Sequence, residues 1–137
     1  MFTNPYFIAV GIPFFLLLCG AFAKKLVRGS SWQRKDFYLG VEFTLAAMSS
    51  ALVYIFDLIK LHATPGIIDT AATMNKIAAT ATFIASAFFL LLLVLSIHQD
   101  WEGRIDRPHA QLLRLGGLAN LVGAGLLAIF ILVVKGV

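Results

Sequence analysis

The sequence predicts an all-α polytopic membrane protein with four transmembrane helices and no soluble domain. Of its 137 residues, 60% are hydrophobic and 13% are charged, whereas soluble chains are roughly 45–50% apolar and about 25% charged. The basic residues are concentrated in short loops between long apolar runs. A soluble domain of this length lacks the interior volume to bury so much apolar surface. We therefore expect residues 1–137 to form a single transmembrane domain.

The first predicted helix covers residues 5–23. Proline is favoured at the first position of a helix, and the apolar run after Pro5 is just long enough to cross a hydrocarbon core of about 30 Å. A signal peptide would carry Lys or Arg before its apolar run. No Lys or Arg precedes this run, so we expect a retained helix. Five basic residues follow within the next loop: Lys24, Lys25, Arg28, Arg34 and Lys35.

The second predicted helix covers residues 32–61. Ser30 and Gln33 have the spacing of a capping box at its start. Only 14 uncharged residues separate its two acids, Glu42 and Asp57. These residues cover about 21 Å of the roughly 30 Å to be crossed. At least one of the two acids is therefore predicted to lie at or inside the edge of the hydrocarbon.

Three residues on the second helix are candidates for a pore or for ion coupling. A carboxylate at membrane depth is costly unless it is neutral, paired or facing water, so Glu42 either binds a proton or cation, or pairs with Lys35. Ser49 shares the face of Glu42 at about 100° per residue, and either lines a water path or packs against another helix. Asp57 lies near this face, and it either belongs to the same path or forms a local ion pair with Lys60.

The third predicted helix covers residues 70–97. Ala78, Thr82 and Ser86 recur at four-residue spacing. Small residues at this spacing allow two helices to approach closely, so Ala78 is predicted to be a packing residue. Hydroxyl groups can also line a pore. Thr82 and Ser86 therefore have two interpretations, helix contact or a place on an ion path.

The fourth predicted helix covers residues 110–134. Gly116, Asn120 and Gly123 lie on one face of it, and the two glycines are predicted to pack against another helix. Asn120 lies deep in an apolar run, where an amide without a hydrogen-bond partner is costly. It is therefore expected either to fix the register of two helices or to lie on an ion path.

The distribution of charge predicts the orientation of the helices. Loops 24–36 and 98–114 contain eight of the 11 Lys and Arg residues, so the positive-inside rule places these loops in the cytoplasm and both termini outside. We expect a bacterial inner membrane. The five basic residues of loop 24–36 are predicted to contact lipid head groups or a cytoplasmic protein. The same is predicted for Arg104 and Arg107.

Several classes of function are not indicated by the sequence. No basic surface is long enough to follow a nucleic-acid backbone. The histidines and acids of loop 98–114 lack the spacing of metal ligands, and no motif indicates a cofactor or a catalytic nucleophile. We therefore expect no enzyme activity, no metal and no cofactor.

The remaining interpretations are three membrane functions. The first is a homo-oligomer that conducts ions or permeabilises the membrane. The alternative is a non-conducting anchor or sensor subunit that recruits a cytoplasmic protein through loops 24–36 and 98–114. The third is a proton-coupled transporter of small molecules that uses Glu42. Small multidrug transporters and fluoride channels have a similar length, but no motif assigns the chain to either family.

Overall fold

The computed structural model describes residues 5–64, 66, 70–101, 103–104 and 106–136. The all-α prediction is confirmed, because this part of the chain is helical and contains no strand. The elements are α1 (Pro5–Arg28), a 3₁₀ turn (Arg34–Phe37), α2 (Gly40–His62), α3 (Thr70–Trp101) and α4 (Pro108–Val134).

The described residues contain three helices that are long and apolar enough to cross a membrane, α2 with the turn before it, α3 and α4, whereas the sequence predicted four. The 23 residues of α2 extend about 35 Å at about 1.5 Å per residue, and the 32 residues of α3 extend further. Each length exceeds a hydrocarbon core of about 30 Å. These three helices are compatible with a small integral membrane protein.

The second helix starts later than the sequence predicts. It was expected from residue 32, but α2 begins at Gly40 and a separate 3₁₀ turn precedes it. The capping box joins Gln33 to Asp36 rather than Ser30 to Gln33. The backbone N–H of Gln33 donates to the Asp36 carboxylate at 2.9 Å. Gln33 is extended, with φ −128° and ψ 153°, as a capping residue usually is, but the turn that it caps is 3₁₀ and ends at Phe37.

The other helices are longer than predicted at their polar ends. Helix α1 continues from the expected residue 23 to Arg28, and α3 continues from 97 to Trp101. Long basic and aromatic side chains tolerate the membrane–water boundary, so a helix can extend past its apolar run. Helix α4 starts at Pro108 rather than at 110. It contains two π-helical segments, Leu112–Ala119 and Phe130–Val134, which the hydrophobic pattern does not predict.

The core lies between α2, α3 and α4, with α2 against both of the others. Ala47 and Ala51 of α2 are fully buried, and their small size lets the neighbouring helices approach closely. Phe83 of α3 and Phe130 of α4 fill the space between, with ring centroids 5.6 Å apart. Helix α1 packs beside this core, against α4 and the 3₁₀ turn.

Candidate functional site

Helices α2 and α4 touch backbone to backbone where α2 begins. A Cβ atom on Gly40 would lie 2.5 Å from the backbone carbonyl of Ala119, and one on Gly123 would lie 2.7 Å from the carbonyl oxygen of Gly40. Only glycine permits this approach without moving a helix. The crossing therefore contains Gly123, one of the two glycines predicted to pack.

The second predicted packing glycine lies under an aromatic ring. A Cβ atom on Gly116 would lie 3.2 Å from Tyr38 Cε1 and 3.2 Å from Leu112 Cδ1. Tyr38 is 3% exposed and belongs to the segment between the 3₁₀ turn and α2. Gly116 thus lets this segment, which we call the α1–α2 junction (residues 29–39), pack on α4.

Asn120 binds the α1–α2 junction through both atoms of its amide. Its Oδ1 accepts a hydrogen bond from the backbone N–H of Leu39 at 2.8 Å, and its Nδ2 donates to the carbonyl of Phe37. Leu39 directly precedes Gly40, so this contact satisfies an N–H group at the start of α2 that has no partner within the helix. Asn120 is 8% exposed. The geometry favours the register-fixing role over an ion path.

An internal ion pair closes the α1–α2 junction. Arg28 donates two hydrogen bonds to the Asp36 carboxylate, the second from Nη2 at 2.8 Å, and donates to the carbonyl of Ser31 at 2.6 Å. Asp36 is 1% exposed and lies in the 3₁₀ turn before α2. Arg28, predicted to contact head groups or a partner, is therefore bound inside the chain.

Glu42 is ion-paired, but its partner is not the predicted one. Lys24 Nζ lies 2.8 Å from Glu42 Oε1, and it also donates to the carbonyl of Tyr38 at 2.8 Å. The sequence predicted Lys35 as the alternative partner, on the assumption of a helix through residue 35. Because α2 begins at Gly40, Lys35 is not on the same helix as Glu42. The side chain of Glu42 is 47% exposed.

The other candidates on α2 do not approach this ion pair. Ser49 and Asp57 are both exposed. Among the described residues, no ion pair joins Asp57 to Lys60, which was the local alternative for this acid. The three α2 candidates therefore do not form one site within a single chain.

The α3 candidates form an exposed polar surface. Ala78, Thr82 and Ser86 all face away from the core of the chain. The Thr82 hydroxyl donates to the carbonyl of Ala78 and the Ser86 hydroxyl donates to that of Thr82, each at 2.9 Å. We call these three residues the α3 outer face. Ala78 is exposed in the described part of the chain, so its predicted contact is one that another molecule could make.

The described residues contain no group of three or more histidines, cysteines or acids that could hold a metal ion. The chain has no match among protein-family models, curated proteins or solved structures. Its function is therefore inferred from its own residues.

The remaining basic candidates lie at the surface. Lys25 lies over the ring of Trp32, 5.0 Å from its centroid, and Lys35 is exposed. The side chain of Arg34 lies outside the described part of the structure. In the second loop, Arg104 lies 5.2 Å from the centroid of the Trp101 ring and donates to the carbonyl of Asp100, while Arg107 is exposed and 3.9 Å from Asp106.

An open groove between α1 and α4 was not predicted. It consists of two hollows of about 460 and 510 Å³ that share Leu17, Gly116, Gly117 and Asn120. We call it the α1–α4 groove.

Sequence reasoning also missed the roles of Gly40 and Asp36. One signal was present for Asp36, since it is the acid adjacent in sequence to the cluster of five cations.

Proposed function

We propose that the chain is one subunit of a homo-oligomeric, ion-conducting assembly in the bacterial inner membrane. In this proposal α1 is the fourth span, since its 24 residues extend about 36 Å, more than the roughly 30 Å needed. Loops 24–36 and 98–114 face the cytoplasm and both termini face outward, in accordance with the positive-inside rule.

The observation that carries the proposal is the exposure of the α3 outer face. Thr82 and Ser86 lie on a helix long enough to span the membrane, yet they point away from the buried core of their own chain. Small residues on such a surface favour contact with another helix. Their hydroxyl groups, which now bond the preceding turn, could also contact water or an ion. The core of each chain is mainly apolar, so we place the path between subunits.

The proposal predicts that Thr82→Leu lowers ion flux through purified protein in sealed liposomes. The leucine adds apolar volume where the path is proposed and removes a hydroxyl group. Ala81→Leu is the matched control, because Ala81 is also exposed on α3 but lies about 100° around the helix. Equal flux through the two assembled variants would contradict the placement of the path. Absence of flux through assembled wild-type protein would contradict conduction itself.

A second candidate, the membrane anchor or sensor, is favoured by the charges of the α1–α2 junction. Its acid Asp36 and the nearby Glu42 are both paired within the chain. Lys25, in the last turn of α1, and Lys35, in the 3₁₀ turn, take part in neither of these ion pairs. Such a surface suits an acidic region of a cytoplasmic protein.

The anchor proposal predicts that the double change Arg34→Glu and Lys35→Glu releases a bound protein. The partner would be identified by quantitative mass spectrometry after cross-linking in intact cells. Lys60→Glu is the control, because Lys60 is exposed at the opposite end of α2. A partner that is retained by the double variant, or lost equally from the control, would count against recruitment through this junction.

No observation specifically favours the third hypothesis, a proton-coupled transporter. Such a protein needs a carboxylate that faces the substrate or water. Glu42 is half exposed, but it is paired with Lys24 and lines neither hollow of the α1–α4 groove.

A further inference from the structure

Both tryptophans of the chain have cations beside their rings. Lys25 Nζ lies 5.0 Å from the centroid of the Trp32 ring. The guanidinium carbons of Arg104 and Arg114 lie 5.2 and 5.7 Å from the centroid of the Trp101 ring. A cation at such a distance is attracted to the face of the ring. We call these groups of side chains the Trp32 cluster and the Trp101 cluster.

The Trp32 cluster continues into an aromatic surface. The rings of Phe22 and Phe37 flank the indole, with centroids 6.1 and 5.8 Å from its own. Phe22 and Trp32 are 50% and 49% exposed. An indole favours the head-group level of a bilayer, where one end of the ring is apolar and the other is hydrated. A lysine beside this ring would be costly deeper in the hydrocarbon, so the cluster fits the boundary.

The two clusters lie at the same end of the helices. Helix α1 ends at Arg28 and α3 ends at Trp101. The 3₁₀ turn Arg34–Phe37 packs against the segment Leu112–Ala119 of α4, which contains Arg114. This is the end that the positive-inside rule places in the cytoplasm. The leaflet on that side of a membrane carries anionic lipids.

The cations of the clusters are not neutralised by the described acids. Asp36 and Glu42, the acids nearest to the end of α1, pair with other basic residues. None of the three cations forms an ion pair with an acid in the described part of the chain. Arg104 uses its Nε to bind the carbonyl of Asp100, at 2.7 Å. The terminal nitrogens of a guanidinium are donors that suit the oxygens of a phosphate.

We propose that the Trp32 and Trp101 clusters each bind the phosphate of an anionic phospholipid in the cytoplasmic leaflet. An acidic protein surface could neutralise the same cations. It would not account for the half-exposed rings around Lys25, which the lipid beneath the head group covers. The proposal adds Arg114 to the residues predicted to contact lipid, and it leaves Lys35 to any protein partner. It requires the chain to span a bilayer, but not to conduct ions or to form an oligomer.

Fluorescence quenching tests the proposal one cluster at a time. Two proteins with a single tryptophan, Trp101→Phe and Trp32→Phe, are reconstituted at low salt in liposomes of phosphatidylcholine and phosphatidylglycerol. Bromine atoms, which quench a tryptophan that they touch, are placed near the carboxyl end of one acyl chain of either lipid. At equal mole fractions of brominated lipid, we expect phosphatidylglycerol to quench each tryptophan more than phosphatidylcholine does. One cation beside the ring should enrich the anionic lipid about fivefold.

Charge variants then assign the enrichment to individual side chains. Lys25→Gln should abolish the preference for phosphatidylglycerol at Trp32 and leave the preference at Trp101 unchanged. The double change Arg104→Gln and Arg114→Gln should have the reverse effect. Each cluster is thus the control for the other.

A further control is Lys60→Gln, which removes a cation from the opposite end of α2 and should retain both preferences. Three results would overturn the proposal. The first is equal quenching by the two lipids at both tryptophans, a comparison that needs no charge variant. The second is a preference that survives in the charge variants of both clusters. The third is absence of quenching by either lipid in protein that resists extraction from the liposomes by alkaline carbonate, which would show that protein covers the rings.

Discussion

Replacement of Gly123 by alanine is expected to destabilise the protein strongly. The new Cβ atom would lie 2.6 Å from Phe43 Cβ and 2.7 Å from the carbonyl oxygen of Gly40. Neither atom can rotate away, so α2 and α4 must separate. Overpacking of this kind costs about 1–3 kcal/mol, and we expect the upper end because both obstacles are fixed to the backbone. Thermal unfolding in detergent, followed by tryptophan fluorescence, would measure the loss.

Gly125→Ala is the matched control for this substitution. It lies on the same helix two residues away, and its Cβ atom would meet nothing within 4 Å. Both substitutions gain about 1 kcal/mol of helix propensity, which cancels when they are compared. We therefore expect Gly125→Ala to be as stable as the wild type or slightly more stable. Equal stability of the two alanine variants would show that the helices do not cross at Gly123.

Replacement of Asn120 by leucine is expected to release the α1–α2 junction from α4. The substitution leaves the N–H of Leu39 and the carbonyl of Phe37 without their side-chain partner. A buried polar group without a partner costs about 1–3 kcal/mol; the N–H of Leu39 is such a group, whereas the carbonyl of Phe37 is only partly buried and adds less. Hydrogen exchange at the Leu39 amide would rise and the melting temperature would fall.

The control for Asn120→Leu is the same substitution at Asn75, which is exposed on α3. It changes the same chemical groups without removing a contact to the α1–α2 junction, so we expect little change in either measurement. Unaltered exchange at Leu39 in the Asn120→Leu variant would mean that this N–H does not depend on the amide.

The helices were predictable because their determinants are local. Long apolar runs and a proline at a first helical position fix three of the starts to within two residues. The start of α2 could not be predicted, because it depends on contacts between distant residues. Arg28 binds Asp36 eight positions later, and Asn120 binds Leu39 across 81 positions. Sequence reasoning correctly required a partner for Asn120, but it could not identify a backbone N–H on another segment.

In the candidate site, too, residue types and spacings could be read from the sequence, whereas the direction in which each residue faces could not. Gly123 and Gly125 look alike in the sequence, and both lie in the apolar part of α4. They are about 200° apart around the helix, so one meets α2 and the other faces open space. For Thr82 and Ser86 the spacing predicted a surface suited to helix contact. It could not predict that the surface would point away from the other helices of its own chain.

The contact between Asn120 and the α1–α2 junction also constrains the order in which the protein can be completed. Phe37 and Leu39 are synthesised more than 80 residues before Asn120. Until α4 enters the bilayer, their backbone groups have only water as a substitute partner, and water is scarce below the head groups. In the proposed membrane arrangement, the start of α2 therefore stays at the hydrated boundary until α4 is inserted. Helix α4 thus fixes the position of the first turn of α2.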